Sequence, residues 1–171
     1  NSIMTMSQMP GAAISLAMVT VIGQCIGARE YKQAKHYMLA LTGTAYMMNL
    51  ALNLSIILLM RPIIGMFQVS AQTAALAWQL GLVCCIGNFT FWPASFALPN
   101  GLRAANDVKF TMIISIVSMW VFRVGFSYVL GLMFELGVLG VWCAMLVDWL
   151  FRAVVFFVRL MSGKWQNRQF I

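Results

Sequence analysis

Residues 137–161 read GVLGVWCAMLVDWLFRAVVFFVRLM, and only Asp148, Arg152 and Arg159 among them carry charge. An α-helix rises about 1.5 Å per residue, so a helix of this length crosses the roughly 30 Å hydrocarbon layer of a bilayer. The run VVFFV at 154–158 lacks the alternation of apolar and polar residues that marks a transmembrane β-strand. The segment is therefore predicted to be a transmembrane helix.

Four similar segments precede it and fill almost the whole chain of 171 residues. Hydrophobic residues make up 62% and charged residues 9% of the sequence, which leaves too little polar surface to cover a water-facing exterior. The predicted fold class is all-α, a polytopic membrane bundle of five helices, with spans at residues 3–28, 37–60, 74–98, 110–134 and 137–161.

Basic residues are concentrated in alternate gaps between these spans. Because Lys and Arg are retained on the cytoplasmic side, the asymmetry predicts a cytoplasmic C-terminus. The cations behind the net charge of +7 are predicted to contact anionic lipid headgroups and not nucleic acid, since they flank membrane spans. The other side is expected to carry one basic residue, Arg61, with the acidic Glu135. The cytoplasmic side is expected to carry eight basic residues: Arg29, Lys32, Lys35, Arg103, Lys109, Arg159, Lys164 and Arg168.

Residue types for enzyme chemistry are scarce. His36 is the only histidine, so neither a two-His metal site nor a Ser/His/Asp triad can be assembled. The 4 cysteines lack CxxC spacing and are interpreted as structural thiols. No enzyme activity, cofactor or metal site is predicted.

Three charged residues lie near the middle of the last two spans, where each costs about 2.5 to 3.5 kcal/mol without a partner or water. Arg123 precedes Glu135 by 12 residues and Asp148 follows it by 13, so the two are expected at similar depth in a helical hairpin. Arg152 follows Asp148 by four positions, which places both on one helix face. A network of Arg123, Asp148 and Arg152 is predicted.

Two roles for this network remain open, a structural clamp between helices and a proton or ion relay. The clamp is favoured, because two arginines beside one carboxylate favour its charged form.

The third span contains Asn88, Trp92 and Pro93. Proline removes a backbone donor and clashes with the preceding turn, so the helix is predicted to kink near Trp92. Interrupted helices often line binding sites in transporters, although a kink also serves packing alone.

Several motifs resemble those of the multidrug and toxic compound extrusion (MATE) transporters. Residues 23–28 (GQCIGA) resemble a Gly-Gln-x-x-Gly-Ala motif that closes a helix in each half of those proteins. Residues 91–93 (FWP) and 98–107 (LPNGLRAAND) resemble the loop after the tenth helix in one bacterial branch. Residues 118–124 (SMWVFRV), and Asp148-Trp149 with Arg152, are similar to the last two helices of that branch.

The resemblance implies twelve helices in two lobes, with both termini cytoplasmic. The five spans would then be helices eight to twelve, so residues 1–171 form a partial C-terminal lobe that lacks the N-terminal lobe and the seventh helix. The absence of a leader before Asn1, which is expected outside, points the same way. The expected location is the inner (plasma) membrane of a bacterium.

The resemblance also implies a secondary antiporter for multidrug (xenobiotic) efflux. Its partners would be small amphiphilic organic cations, a coupling ion that is Na⁺ or H⁺, and the missing N-terminal lobe. Gln24, Asn88 and Trp92 are the candidates for the substrate or ion pathway. Some members carry a coupling carboxylate in the tenth helix, whereas residues 87–98 contain no acid. The alternatives are a flippase for lipid-linked precursors and a membrane scaffold without transport activity.

Overall fold

The computed structural model describes residues 2–66, 70–129 and 137–166, with side chains from Thr5 and, after the second gap, from Gly140. Apart from short turns, these residues are helical, and none of them forms a strand. The prediction of an all-α bundle is therefore confirmed. The elements are α1 (Ser2–Gly27), α2 (Tyr31–Met66), α3 (Ala71–Thr90), π1 (Pro93–Ala97), α4 (Leu98–Ala104), α5 (Val108–Ser118), π2 (Met119–Phe126) and α6 (Gly137–Met161), where π marks a π-helical segment.

Five helical segments in the described part are long and apolar enough to cross a bilayer, as the sequence predicted. Large apolar side chains point outward along them, as shown by Leu16 and Leu58, each 73% exposed, and Val158, 60% exposed. Such outward-facing apolar surface is stable against lipid tails and unstable in water. The chain is a multi-pass membrane protein.

Three boundaries differ from the prediction. The second helix runs from Tyr31 to Met66 instead of 37–60, because its polar first turns continue the helix beyond the apolar stretch. The third span is broken after Thr90, where Pro93 starts π1, as the predicted kink required. Residues 98–104, predicted as part of a loop, instead form α4, since Pro99 occupies the first turn of a helix and leaves no internal hydrogen bond unmade. The turn predicted at Glu135 lies outside the described residues.

Contacts between distant segments join the helices at one end of the bundle, which we call the basic end: the turns at 28–30 and 105–107 together with residues 159–166. Asp107 is buried there and accepts two hydrogen bonds from Arg159, from Nε at 2.7 Å and from Nη2 at 3.2 Å. Lys35 donates to the carbonyl of Met161 at 3.5 Å. A continuous apolar core adjoins this end and includes Met18, Ile22, Met38, Leu98, Leu102, Phe156, Leu160 and Trp165.

Candidate functional site

A cluster of amide and hydroxyl side chains lies away from the basic end, between α1, α2 and α3. Asn88 of α3 is fully buried, and its Nδ2 donates to Ser7 Oγ of α1 at 2.6 Å. Its Oδ1 accepts from Gln8 Nε2 at 3.3 Å. Within an apolar bundle these hydrogen bonds fix the relative position of α1 and α3, because burying the Asn88 amide without them would cost free energy.

Helix α2 contributes Asn49 and Asn53 to the same cluster, and both are fully buried. Asn53 Nδ2 donates to the carbonyls of Asn49 at 2.8 Å and Ser7 at 3.5 Å. Neither amide atom of the Asn49 side chain has a hydrogen-bond partner among the described residues. We call Ser7, Asn49, Asn53, Asn88 and Trp92 the polar centre.

Trp92 is held at the polar centre by close contact with a glycine of α1. A Cβ atom built on Gly11 would lie 2.3 Å from Trp92 Cζ3, so the ring occupies the space that a side chain would need. Trp92 stacks on Phe96 with ring centres 5.4 Å apart, and Phe96 meets Trp149 edge to face at 5.7 Å. The interruption at Pro93 thus directs two aromatic rings toward α6.

These rings separate two cavities. One, of about 380 Å³, is lined by Thr5, Gln8, Trp92, Phe96, Arg123, Trp142, Met145 and Trp149. The other, of about 490 Å³, is called the Arg103 cavity and is lined by Ala12, Ser15, Leu16, Trp92, Ser95, Phe96, Pro99, Asn100, Arg103, Ser115 and Arg152. A third, more apolar cavity of about 360 Å³ contacts Cys84, Cys85 and Asn88. Aromatic faces beside polar groups are typical of sites for amphiphilic ligands.

Asp148 and Arg152 contact each other, with Arg152 Nε 3.1 Å from Asp148 Oδ1. Arg152 Nε also donates to Ser118 Oγ at 2.6 Å, and Nη2 donates to the carbonyl of Ser115 at 3.1 Å. The arginine therefore joins α6 to α5, where its partners are the Ser118 hydroxyl and the Ser115 carbonyl. Asp148 Oδ2 is buried and has no hydrogen-bond partner among the described residues.

Arg123 does not join this pair, which corrects the predicted three-membered network. Its Nη2 points to Met145 Sδ at 3.5 Å, and no ion pair in the described part of the chain includes it. The depth estimate assumed regular α-helix, but Arg123 lies within π2, where i→i+5 hydrogen bonds change the direction of each side chain. Arg123 is consequently displaced to the neighbouring turn of α6.

The three pathway candidates are also separated. Asn88 and Trp92 both lie at the polar centre, whereas Gln24 is exposed in the last turn of α1, near the basic end. No sequence pattern singles out Ser7, Gly11 or Phe96, because their role depends on tertiary contacts. The charge asymmetry assigns Arg103 only to the cytoplasmic side, yet its spacing of three from Asn100 in α4 places both on one helix face.

Among the described residues, no three His, Cys, Asp or Glu side chains group together in a way that could hold a metal ion.

Comparison with known proteins identifies the chain. The family model MatE matches residues 1–129. The chain belongs to the MatE family. Over 169 residues it is 30% identical to a probable multidrug resistance protein NorM of Thermotoga maritima, covering 96% of this chain and 35% of that protein. It is 26% identical to the uncharacterized transporter YisQ of Bacillus subtilis, covering 91% of this chain and 34% of that protein.

A probable NorM of Bacillus subtilis is 27% identical, with 91% of this chain and 34% of that protein covered. The chain thus spans about a third of the length of the curated relatives it matches. No solved structure matches it. The MatE match includes the polar centre and Arg103 but ends before α6, so Asp148 and Arg152 lie beyond it.

Proposed function

We propose that the chain is helices eight to twelve of a MatE secondary transporter that exports amphiphilic aromatic compounds. The observation that carries the proposal is the stacked pair Trp92 and Phe96, which lies between two cavities inside a membrane-spanning bundle. Two of the relatives described above are named multidrug resistance proteins, which supports a broad range of substrates.

Substrate binding would use the aromatic rings for most of its free energy. Stacking and cation–π contacts on Trp92 and Phe96 tolerate ligands of varied shape, because they depend on a ring face and not on a fixed set of hydrogen bonds. The break between α3 and α4 supports this role, since interrupted helices line the binding sites of many transporters. Asn88 would orient the site by holding α1 against α3.

Export would require a second lobe that rocks against this one, so that the cavities face each side of the membrane in turn. The coupling ion, Na⁺ or H⁺, is proposed to bind mainly in that second lobe, because no Asp or Glu lines the three cavities described above. The basic end is proposed to face the cytoplasm at the inner membrane, in contact with anionic lipid headgroups.

The test is transport into everted membrane vesicles from an efflux-deficient bacterium. The transporter containing this chain together with its opposite lobe should accumulate a fluorescent aromatic compound when a Na⁺ or H⁺ gradient is imposed, and the 171-residue chain alone should not. Trp92→Ala should lower the initial rate by about tenfold, an amount equal to about 1.4 kcal/mol of lost contact. Trp120→Ala, which removes a tryptophan that is 63% exposed, is the matched control and should leave the rate unchanged.

Gradient-driven transport by the chain alone would contradict the two-lobe proposal. Equal rates for Trp92→Ala and Trp120→Ala would show that Trp92 does not contribute to the binding site. Translocation of a lipid-linked precursor without any effect on the aromatic compound would favour the flippase alternative. If neither compound is transported, the result would favour the alternative of a membrane scaffold without transport activity.

A further inference from the structure

Two arginines line the Arg103 cavity. Arg103 of α4 and Arg152 of α6 line it, and no Asp or Glu is among its lining residues. The remaining polar groups are the side chains of Ser15, Ser95, Ser115 and Asn100, which have no net charge. A cationic compound entering this cavity would meet two guanidinium groups and no carboxylate.

Among the described residues, the hydrogen-bond partners of Arg103 are all neutral. Its Nε donates to Thr111 Oγ1 at 3.4 Å and its Nη1 donates to Asn100 Oδ1 at 3.3 Å. Neither ion pair in the described part of the chain includes it. Asn100 in turn donates through Nδ2 to Ser15 Oγ of α1. The guanidinium is thereby held at the cavity by uncharged groups that leave its charge uncompensated.

Arg152 is compensated by a single carboxylate. Its Nε and Nη2 are engaged by Asp148, Ser118 and Ser115, whereas Nη1 has no hydrogen-bond partner among the described residues. The guanidinium carbon lies 5.8 Å from the centre of the Phe96 ring. Counting Asp148 with the two arginines, the surroundings of the cavity carry a net charge of +1.

We propose that the Arg103 cavity binds the anionic group of an amphiphilic aromatic compound. Arg103 and Arg152 would bind a carboxylate, sulfonate or phosphate, for which the planar guanidinium offers paired donors. Trp92 and Phe96 would contact the aromatic ring of the same compound. The inference rests on the proposed function and deepens it. It assigns anionic or zwitterionic substrates, whereas the sequence resemblance implies organic cations.

Binding of a matched pair of probes tests this assignment. The 171-residue chain in nanodiscs of phosphatidylcholine, which has no net charge, is dialysed against 2-naphthoate or against trimethyl(2-naphthyl)ammonium, with empty nanodiscs subtracted. We expect the carboxylate to bind at least tenfold more tightly than the ammonium compound. Raising the NaCl concentration should weaken carboxylate binding, because the charge of the exposed Arg103 is screened by salt.

Two substitutions change the charge of the cavity in opposite directions. Arg103→Gln should lower the affinity for 2-naphthoate by about tenfold, whereas Lys109→Gln, which removes a nearby cation that does not line the cavity, should not change it. Asp148→Asn should raise the affinity by severalfold, since Arg152 then lacks its carboxylate partner and a purely structural role for Asp148 would not increase binding. Far-UV circular dichroism checks that each variant keeps its helix content.

The anionic group can belong to a soluble compound or to a lipid headgroup, since either would bind the arginines through the same contacts. Nanodiscs containing phosphatidylglycerol separate these sources, because a resident lipid headgroup would compete with 2-naphthoate and a soluble ligand site closed to lipid would not be blocked. Equal affinity for the two probes, or equal effects of Arg103→Gln and Lys109→Gln, would overturn the proposal. Since the assay measures binding alone, its result is independent of whether the transporter exports aromatic compounds.

Discussion

The basic end and the polar centre of the bundle both contain buried polar side chains, but they differ in how completely these groups are paired. At the basic end, Asp107 and Arg159 form two hydrogen bonds, of 2.7 Å and 3.2 Å, although they are 52 residues apart in the chain. At the polar centre, Asn49 and Asn53 are fully buried and keep amide atoms without partners in the described part of the chain. The ion pair at the basic end holds the helices together, whereas Asn49 and Asn53, with amide atoms left over, lie beside the cavities where binding is proposed.

Loss of the ion pair at the basic end should have the largest effect on stability. Asp107→Asn keeps the volume of the side chain but removes the charge that compensates Arg159, whose side chain is only 13% exposed. Breaking a buried pair on one side costs about 3 kcal/mol, because the remaining charge is left in a poorly solvated site. The free energy of unfolding, measured by SDS titration in detergent micelles, should fall by that amount.

Glu30→Gln provides the control for Asp107→Asn, since it removes the same charge from an exposed position at the same end. It should change the free energy of unfolding by less than about 0.5 kcal/mol. The folded fraction of Asp107→Asn should still bind 2-naphthoate with unchanged affinity. A loss of affinity would mean that the ion pair at the basic end also determines the shape of the binding cavity.

Gly11→Ala should have the next largest effect, and it acts at the polar centre. The new Cβ would lie 2.3 Å from Trp92 Cζ3 and 3.0 Å from Asn49 Nδ2, so the indole ring has to move. Overpacking of this kind costs about 2 kcal/mol. Gly43→Ala, where the added atom meets open space, should be neutral or stabilising by up to about 1 kcal/mol in the same unfolding experiment.

Displacement of Trp92 should also be visible in its fluorescence and in substrate affinity. Unchanged stability and unchanged affinity in Gly11→Ala would contradict the close contact between α1 and the aromatic pair.

Two of the three buried asparagines of the polar centre, Asn49 and Asn88, should respond in opposite ways to replacement by leucine. Asn49→Leu removes an amide that has no described partner, so it should be neutral or stabilise the fold by about 1 kcal/mol. Asn88→Leu removes the partner of both Ser7 and Gln8 and should destabilise the fold by about 1 kcal/mol or more. Similar losses in both variants, measured by SDS titration, would show the centre to be as fully paired as the basic end.

Much of the fold followed from composition and local spacing. Apolar runs of bilayer length predicted the five spans, and Pro93 predicted the break in the third. The four-residue spacing of Asp148 and Arg152 predicted that the two lie on one helix face, because helix periodicity alone determines it. These features depend on one segment at a time, which is why a single sequence was sufficient.

The remaining features depend on how segments approach each other. The pairing of Asp107 with Arg159 and the contact of Gly11 with Trp92 join distant parts of the chain, and no local pattern marks them. The displacement of Arg123 has a different origin, since the π-helical hydrogen bonding of π2 is not distinguishable from α-helix by hydropathy. The alternation of basic gaps grouped Arg29, Lys35 and Arg159 correctly at one end, although it gave no hint that Arg103 lines a cavity.

Arg123→Gln is expected to have the smallest effect, and it distinguishes the observed pairing from the predicted network. Arg123 is exposed, and the one hydrogen-bond partner of its guanidinium in the described part of the chain is the thioether of Met145, a weak acceptor. Its loss should therefore change the free energy of unfolding by less than about 0.5 kcal/mol. Arg152→Gln leaves the buried Asp148 without its ion-pair partner among the described residues and should cost several times more in the same titration. Equal costs for the two variants would indicate that Arg123 also compensates Asp148, and the carboxylate would then be held between α6 and π2.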